Sequence, residues 1–429
     1  APDALQCFSA TQIGLLHPPA FAGFGTEQFL NMSLHPNEIF QEIFSNIDAN
    51  QLSFLADDVF SNVTPDLISL IPEETMGGFS ADDIGSLHPD AFSGFSSSQL
   101  IELPDVAFGG FTSTALSQLD PESISALSSS QLQNLPRDYG SDSSQEPSAL
   151  AGLTSEQIIK LDLEAFAGFV DKHLECLQSS TVSKIDADML ASMPAEAMSG
   201  FAAHLISATI EYSDERVDIL QPEALGKLTP QHLENFDSAA VEALGANHVA
   251  NLPEAIFQVY ENENGQLEFG HLAFLSSLSA EGLSGLTSDQ LQNIPPPDDA
   301  NLGYWSNFLE NVKEQSTNSE APPEIVGLLS NDQVGLILSS FELSNIVNSE
   351  MISEISPEAI AGLDFASLDH GGGLLIDFWP GLKSDQLSEL NSDFIENIDE
   401  YTMPMIYPET MSGFEVDDLT HLSPGSFSG

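Results

Sequence analysis

The chain has 429 residues, 66 of them acidic and 8 basic, for a formal net charge of -58, yet charged residues make up only 17%. An ordinary soluble domain carries about 25%, so the unusual feature is missing Lys and Arg rather than an excess of acid. A surface of this sign repels phosphate backbones and anionic headgroups, which excludes nucleic acid and membrane surfaces as partners, while 41% hydrophobic residues is too many for a disordered chain.

The first predicted elements begin at once. Pro2-Asp3-Ala4-Leu5-Gln6-Cys7-Phe8 already carries the pattern of the whole chain, and the step from Cys7 to Gly23 is its period. The same interval separates Gly78, Gly94 and Gly110, then Gly152 and Gly168, and finally Gly413 and Gly429. Inside the repeat lies a half-period, since Leu119, Ile124, Leu127, Leu132 and Leu135 alternate spacings of 5 and 3. One half reads Ser/Thr-x-x-Gln-Leu-x-x-Leu and the other Pro-x-Ala-Phe-x-Gly-Phe. Apolar residues at i and i+3 share one face of a helical turn. Ser128 with Gln131, and Thr154 with Gln157, have capping-box spacing. Pro121 and Pro357 suit a first helical position, and Glu122 and Glu358 follow where the helix dipole favours acid. The spacing predicts helical turns of about six to eight residues. Helices below about 12 residues are marginal in water, so neighbouring turns must stack, as in a solenoid.

The fold class expected is all-α, an elongated solenoid of tandem 16-residue repeats, each with two short helical turns, and about 27 coils if regular throughout. Phe92 and Phe95, and Phe166 and Phe169, are expected in the core ladder. The repeat glycine either ends a turn or admits close approach of the next coil. The alternative is a β-α solenoid, because Leu103 to Phe111 resembles the back of a leucine-rich repeat.

Five segments are expected: 1–136 regular repeat solenoid; 137–148 loop insertion; 149–294 degenerate repeat solenoid with a loop at 261–270; 295–325 non-repeat insertion; and 326–429 repeat solenoid, ending mid-repeat. Both ends lie in phase, without an atypical polar capping repeat. The chain opens on Ala1 without Met or a signal-peptide pattern, so the expectation is a removed leader or a longer parent chain. No apolar run reaches the roughly 18 residues that a membrane span needs. Cys7 and Cys176 are too few for a disulfide framework.

Residues with chemical potential are sparse. Asp369-His370-Gly371-Gly372-Gly373 resembles a hydrolase oxyanion loop, but the Gly-x-Ser-x-Gly elbow such a fold needs is missing. His17, His35 and His88 recur as Leu-His-Pro and read as caps. Tyr260 to His271 resembles an EF-hand loop at Asn262, Asn264, Gly265 and Leu267, but Tyr260 and His271 replace the two anchoring acids. Asn262, Asn264 and Glu268 are therefore the candidate ligands for weakly bound Ca2+, and no cofactor is expected. Asn31 and Asn62 head glycosylation sequons. The expectation is a structural protein, not an enzyme: an acidic, extracellular or cell-surface, fibre- or filament-forming subunit, or part of an adhesin-like stalk. Its expected partner is itself, end to end as a homopolymer, with divalent cations and glycans as further partners. The alternative is a solenoid binding scaffold for a protein or glycan.

Overall fold

The structure, a computed structural model, describes residues 12, 15–23, 44–137, 148–201, 220–236, 238–258, 260–261, 267–268, 274–317, 323–368, 373–423 and 426. The chain forms two compact units, Ala1–Ala224 and Leu225–Gly429. Each is an all-α solenoid of short helices in tandem.

Local sequence explains the helices. Ser96 Oγ accepts from the Gln99 amide N–H at 3.2 Å, and Gln99 Oε1 accepts from the Ser96 N–H at 3.0 Å. This closed capping box starts the helix Ser97–Glu102, and Ser128 with Gln131 and Thr154 with Gln157 do the same. Pro121 and Pro357 open their helices as expected. The other half-repeat forms tighter 3-10 turns, as in Pro89–Gly94, Asp105–Gly110 and Leu163–Gly168. Elements of four to six residues have too few internal hydrogen bonds to persist alone. Burial holds them: Phe92, Phe95, Leu100, Leu103, Phe166 and Phe169 are all buried, each contributing about 1.5–3 kcal/mol.

Stacking revises one expectation. In the first unit, Ala81–Ser86 packs against Asp105–Gly110, and Glu73–Gly78 against Ser97–Glu102. In both pairs the partner is the third element further along the chain. A coil therefore takes three half-repeats, not the two of the 16-residue sequence period, so the coil count expected from sequence is too high by half. Because three is odd, the two half-repeat types alternate along each side of the stack.

That alternation explains the glycines. A Cβ on Gly94 would fall well inside 3.0 Å of the Pro65 carbonyl oxygen, and one on Gly110 equally close to that of Ala81. In each pair the glycine lies on the first residue of a helix in the preceding coil. Close approach is thus the role of the repeat glycine. None of the described glycines has the left-handed φ that would mark it as a turn terminator.

Buried polar side chains join the coils. Gln99 Nε2 donates to the carbonyls of Ile68 and Ile71 at 2.7 and 2.8 Å, and Gln131 reaches Leu100 and Leu103 in the same way. Thr75 and Thr181 hydroxyls donate to the carbonyls of Ile47 and Leu153, each 28 residues earlier.

The second unit repeats this scheme, with Gln290, Gln333 and Gln386 as bridging amides. The stretch 295–325 supplies a 16-residue helix, Leu302–Thr317, which buries Trp305, Phe308, Leu309 and Val312. Its Asn311 donates to the carbonyls of Leu275 and Leu278, so a segment outside the sequence repeat still bridges to the preceding coil. In the loop expected at 261–270, Tyr260–Glu261 pairs antiparallel with Leu267–Glu268. This is the one ladder among the described residues. The half-repeats themselves are helical, so the β-α alternative fails.

Candidate functional site

The informative residues lie on coil faces. Ile406 to Gly429 matches Ile71 to Gly94 at 13 of 24 positions. The two segments also share a bridge, for Thr410 donates to the Leu382 carbonyl 28 residues earlier, as Thr75 does to Ile47. Their opposite faces differ. Met76 is 0% exposed and Ile84 1%, because Ser97–Glu102 and Asp105–Gly110 pack over their helices. The counterparts Met411 and Leu419 are 40% and 55% exposed, and Val416 beside them is 80% exposed. Side chains at core positions of the repeat thus form an open apolar face in the second unit.

The first unit presents the opposite face. Gln12 to Gly23 matches Asp83 to Gly94 at 8 of 12 positions. Ala91 is buried and Gly94 lies against Pro65, whereas Ala20 is exposed and a Cβ on Gly23 would meet nothing within 4 Å. Gln12 occupies the place of the bridging glutamines and is exposed, while Gln99, Gln131 and Gln157 are buried. The sequence shows that both ends are in phase. Which residues this exposes follows only once the stacked pairs are known, although aligning the terminal segments with an internal coil would have singled out Met411 and Leu419.

The electrostatics of the faces are unequal. Glu409, Glu415 and Asp417 are exposed beside the apolar face. Asp399 is held below the usual carboxylate range by N–H groups of Thr402 and Tyr401. Around Gln12 to Gly23 the described residues include no acid or Lys/Arg. Two buried groups at the bridging position also stand out. Asp83 is pushed up by burial, with Asp57 and Asp82 adding to this against the hydrogen bonds from Ser80. His173 is fully buried with neither ring nitrogen in a well-formed hydrogen bond. Burial, then repulsion from Arg137, lowers it to about 4, although the Leu135 and Gly168 carbonyls nearby favour its protonated form.

Most of the sequence-predicted site residues lie outside the described residues. Asn62 is exposed, donates to Ser61 Oγ at 3.1 Å and lies just before the cap Thr64. Asn31, Asn262 and Asn264 lie outside the described residues, as do Cys7 and 369–372 of the glycine loop; Glu268 is known here only as part of its short strand. Cys176 is a buried thiol. Among the described residues no group of three His, Cys, Asp or Glu side chains is placed to hold a metal ion. No helix among them is long and apolar enough to cross a membrane.

The fold and its bridges define the class, an all-α repeat solenoid. Comparison with protein-family models, with the curated proteins and with the solved structures finds no match to this chain.

Proposed function

We propose that this chain is a structural repeat protein whose copies associate through their coil faces to build a fibre, filament or adhesin-like stalk. The observation that carries the reading is the regular bridging of successive coils, as from Gln99 to the Ile68 and Ile71 carbonyls and from Thr75 to that of Ile47. A half-repeat too short to persist alone is held by the coils stacked on it, and the same kind of contact would serve between copies. The role is mechanical rather than catalytic. Phe and Leu form the core, Gln and Thr fix the spacing of the coils, and the acidic exterior keeps the assembly soluble. An extracellular saline setting suits a net charge of -58, because salt screens the repulsion between copies. Divalent cations would do so at lower concentration, and Asn31 and Asn62 would carry glycans there.

Sedimentation velocity tests this reading. Between about 0.01 and about 1 M salt the Debye length falls from about 30 Å to about 3 Å. The expected result is a monomer at low salt and progressively larger species as salt rises. A single monomeric species throughout would refute self-association.

A further inference from the structure

We infer that one side of the second unit docks a basic peptide segment, held in extended form with a lysine or arginine at every third position. This adds a partner to the reading above and does not depend on association between copies.

Three stacked helices build the surface. Asn331–Ser339 packs on Pro357–Ala361, and Pro357–Ala361 on Ser384–Leu387. Asp332, Glu358 and Asp385 hold the second position of these helices in turn, and Glu389 follows the last; all four are exposed. The first unit contains the same arrangement. There Ser97–Glu102, Pro121–Ile124 and Ser155–Ile158 stack in the same order, and the bridges fix the correspondence. Gln157 takes the Leu116 and Leu119 carbonyls just ahead of Pro121, as Gln386 takes those of Ile352 and Ile355 just ahead of Pro357. The places of Asp332, Glu358, Asp385 and Glu389 are therefore those of Ser98, Glu122, Glu156 and Lys160.

The contrast between the units identifies the occupant. In the first, Lys160 of the following coil pairs with Glu122. In the second, Glu389 stands where that lysine would be, and Asp332 replaces the neutral Ser98. Among the described residues neither Asp332 nor Glu358 has a hydrogen-bond or ion-pair partner for its carboxylate. Lys383, just ahead of the third helix, is engaged by Glu354 at 3.1 Å. The chain itself thus shows the group that a glutamate at this place takes, an ammonium, and in the second unit a partner must bring it.

The shape agrees with the charge. A cleft of about 520 Å³ opens between the first two helices, with Asp332, Gly335, Leu336, Glu358 and Gly362 among its lining residues. A Cβ on Gly335 would meet nothing within 4 Å, whereas the corresponding residue of the first unit is Ile101. Leu336, 45% exposed, gives the cleft an apolar wall. A lysine or arginine suits both features, because its methylene stem covers apolar surface while its charged head stays in water at the rim, here with Asp332 and Glu358. Packed helices lie about 8–10 Å apart, and an extended or polyproline chain advances about 3.1–3.4 Å per residue. One basic residue in three therefore keeps step with Asp332, Glu358 and Asp385.

The test is fluorescence anisotropy of a labelled peptide, Lys-Ser-Ser-Lys-Ser-Ser-Lys, titrated with the full chain in about 0.15 M salt, where exposed charges more than about 8 Å apart are largely screened. Its isomer Lys-Lys-Lys-Ser-Ser-Ser-Ser measures attraction without register. The spaced peptide is expected to bind about fivefold more tightly than the isomer, the effect of two or three exposed ion pairs. Gly335→Ile fills the cleft with the first unit's side chain and changes no charge, and Glu389→Lys recreates the first unit's ion pair. Each should weaken the spaced peptide by a similar factor, while Glu164→Lys, at an exposed position of the first unit, should leave its affinity within about twofold because the distance screens it. Thermal unfolding of all three variants should match that of the unaltered chain. Equal affinity for the two peptides, or equal losses from Glu389→Lys and Glu164→Lys, would mean that net charge alone attracts and would overturn the proposal. Unimpaired binding to Gly335→Ile, or no binding of the spaced peptide at all, would overturn it too. Displacement of the peptide by spermine at equal charge would assign the surface to a small polyamine instead.

Discussion

Glutamine at the third helical position uses both ends of its amide. In Gln131 the Oε1 accepts from the N–H of Ser128 and closes the cap, while Nε2 bridges two carbonyls of the coil before it. Glu would keep the cap but lack the donor, and Asn, one methylene shorter, would not span both tasks. The repeat glycine is selected by the same neighbouring coil, because its Cα rests on a backbone carbonyl that cannot move aside. Gly110→Ala is therefore expected to destabilise by about 3 kcal/mol, the upper end of overpacking costs, since the obstruction is backbone. Gly77→Ala, where a Cβ meets nothing within 4 Å, should change stability by less than about 1 kcal/mol. Urea unfolding of the two variants measures the contrast. Equal effects would show that close approach is not what selects glycine.

Among the helices, Asp171–Glu175 departs most from the bridging scheme. It carries His173 where most bridged helices carry Gln, as Pro230–Glu234 carries His232 and Ala246–Ala250 carries His248. A buried imidazole must stay neutral. The folded value of about 4 lies below the ordinary 6.5, so the unfolded chain binds the proton more readily. The stabilising contribution is complete above pH 6.5 and declines as the pH falls from there toward 4, a total of about 3 kcal/mol. Because coils in a repeat array contact only their neighbours, the loss should be local. Hydrogen exchange within Asp171–Glu175 and Ala195–Phe201, which pack together, is expected to accelerate as the pH drops from about 7 to about 4.5 once intrinsic rates are corrected. His173→Gln restores the bridging amide and should abolish that acceleration. If the variant loses protection as steeply as the original, His173 is not the titrating group.

At the scale of the whole chain, the bridges also show how insertions are tolerated. Gln131 reaches back 31 and 28 residues, but Gln157 reaches back 41 and 38. The additional ten residues equal the length of the stretch 138–147, and the bridges on either side of it keep the same register. The Pro136 carbonyl accepts from the Ala149 N–H at 3.2 Å and from Ser148 Oγ at 3.0 Å, so the points of departure and return are adjacent. Removing 138–147 joins Arg137 to Ser148 and turns that backbone bond into the closure of a four-residue turn. The shortened chain should melt within a few degrees of the original, because loop length costs little entropy. A much lower melting temperature would mean that the segment supports the coils.

The repeat, the caps, the helical half-repeats and the phenylalanine core were legible in the sequence because each depends on residues within one turn of each other. The alternation of 5 and 3, a Ser or Thr three residues before a Gln, and a Pro opening a turn all act locally. The number of half-repeats in a coil was not legible. Each half is compatible with two, three or four per coil, and the choice falls to contacts between residues a full coil apart along the chain: Gly on a helix-opening carbonyl, Gln on a pair of carbonyls, Phe on Phe. Only the stacked chain makes those contacts. The candidate faces were hidden for the same reason, since Leu419 and Ile84 occupy equivalent places in the repeat and differ only in whether another coil packs over them.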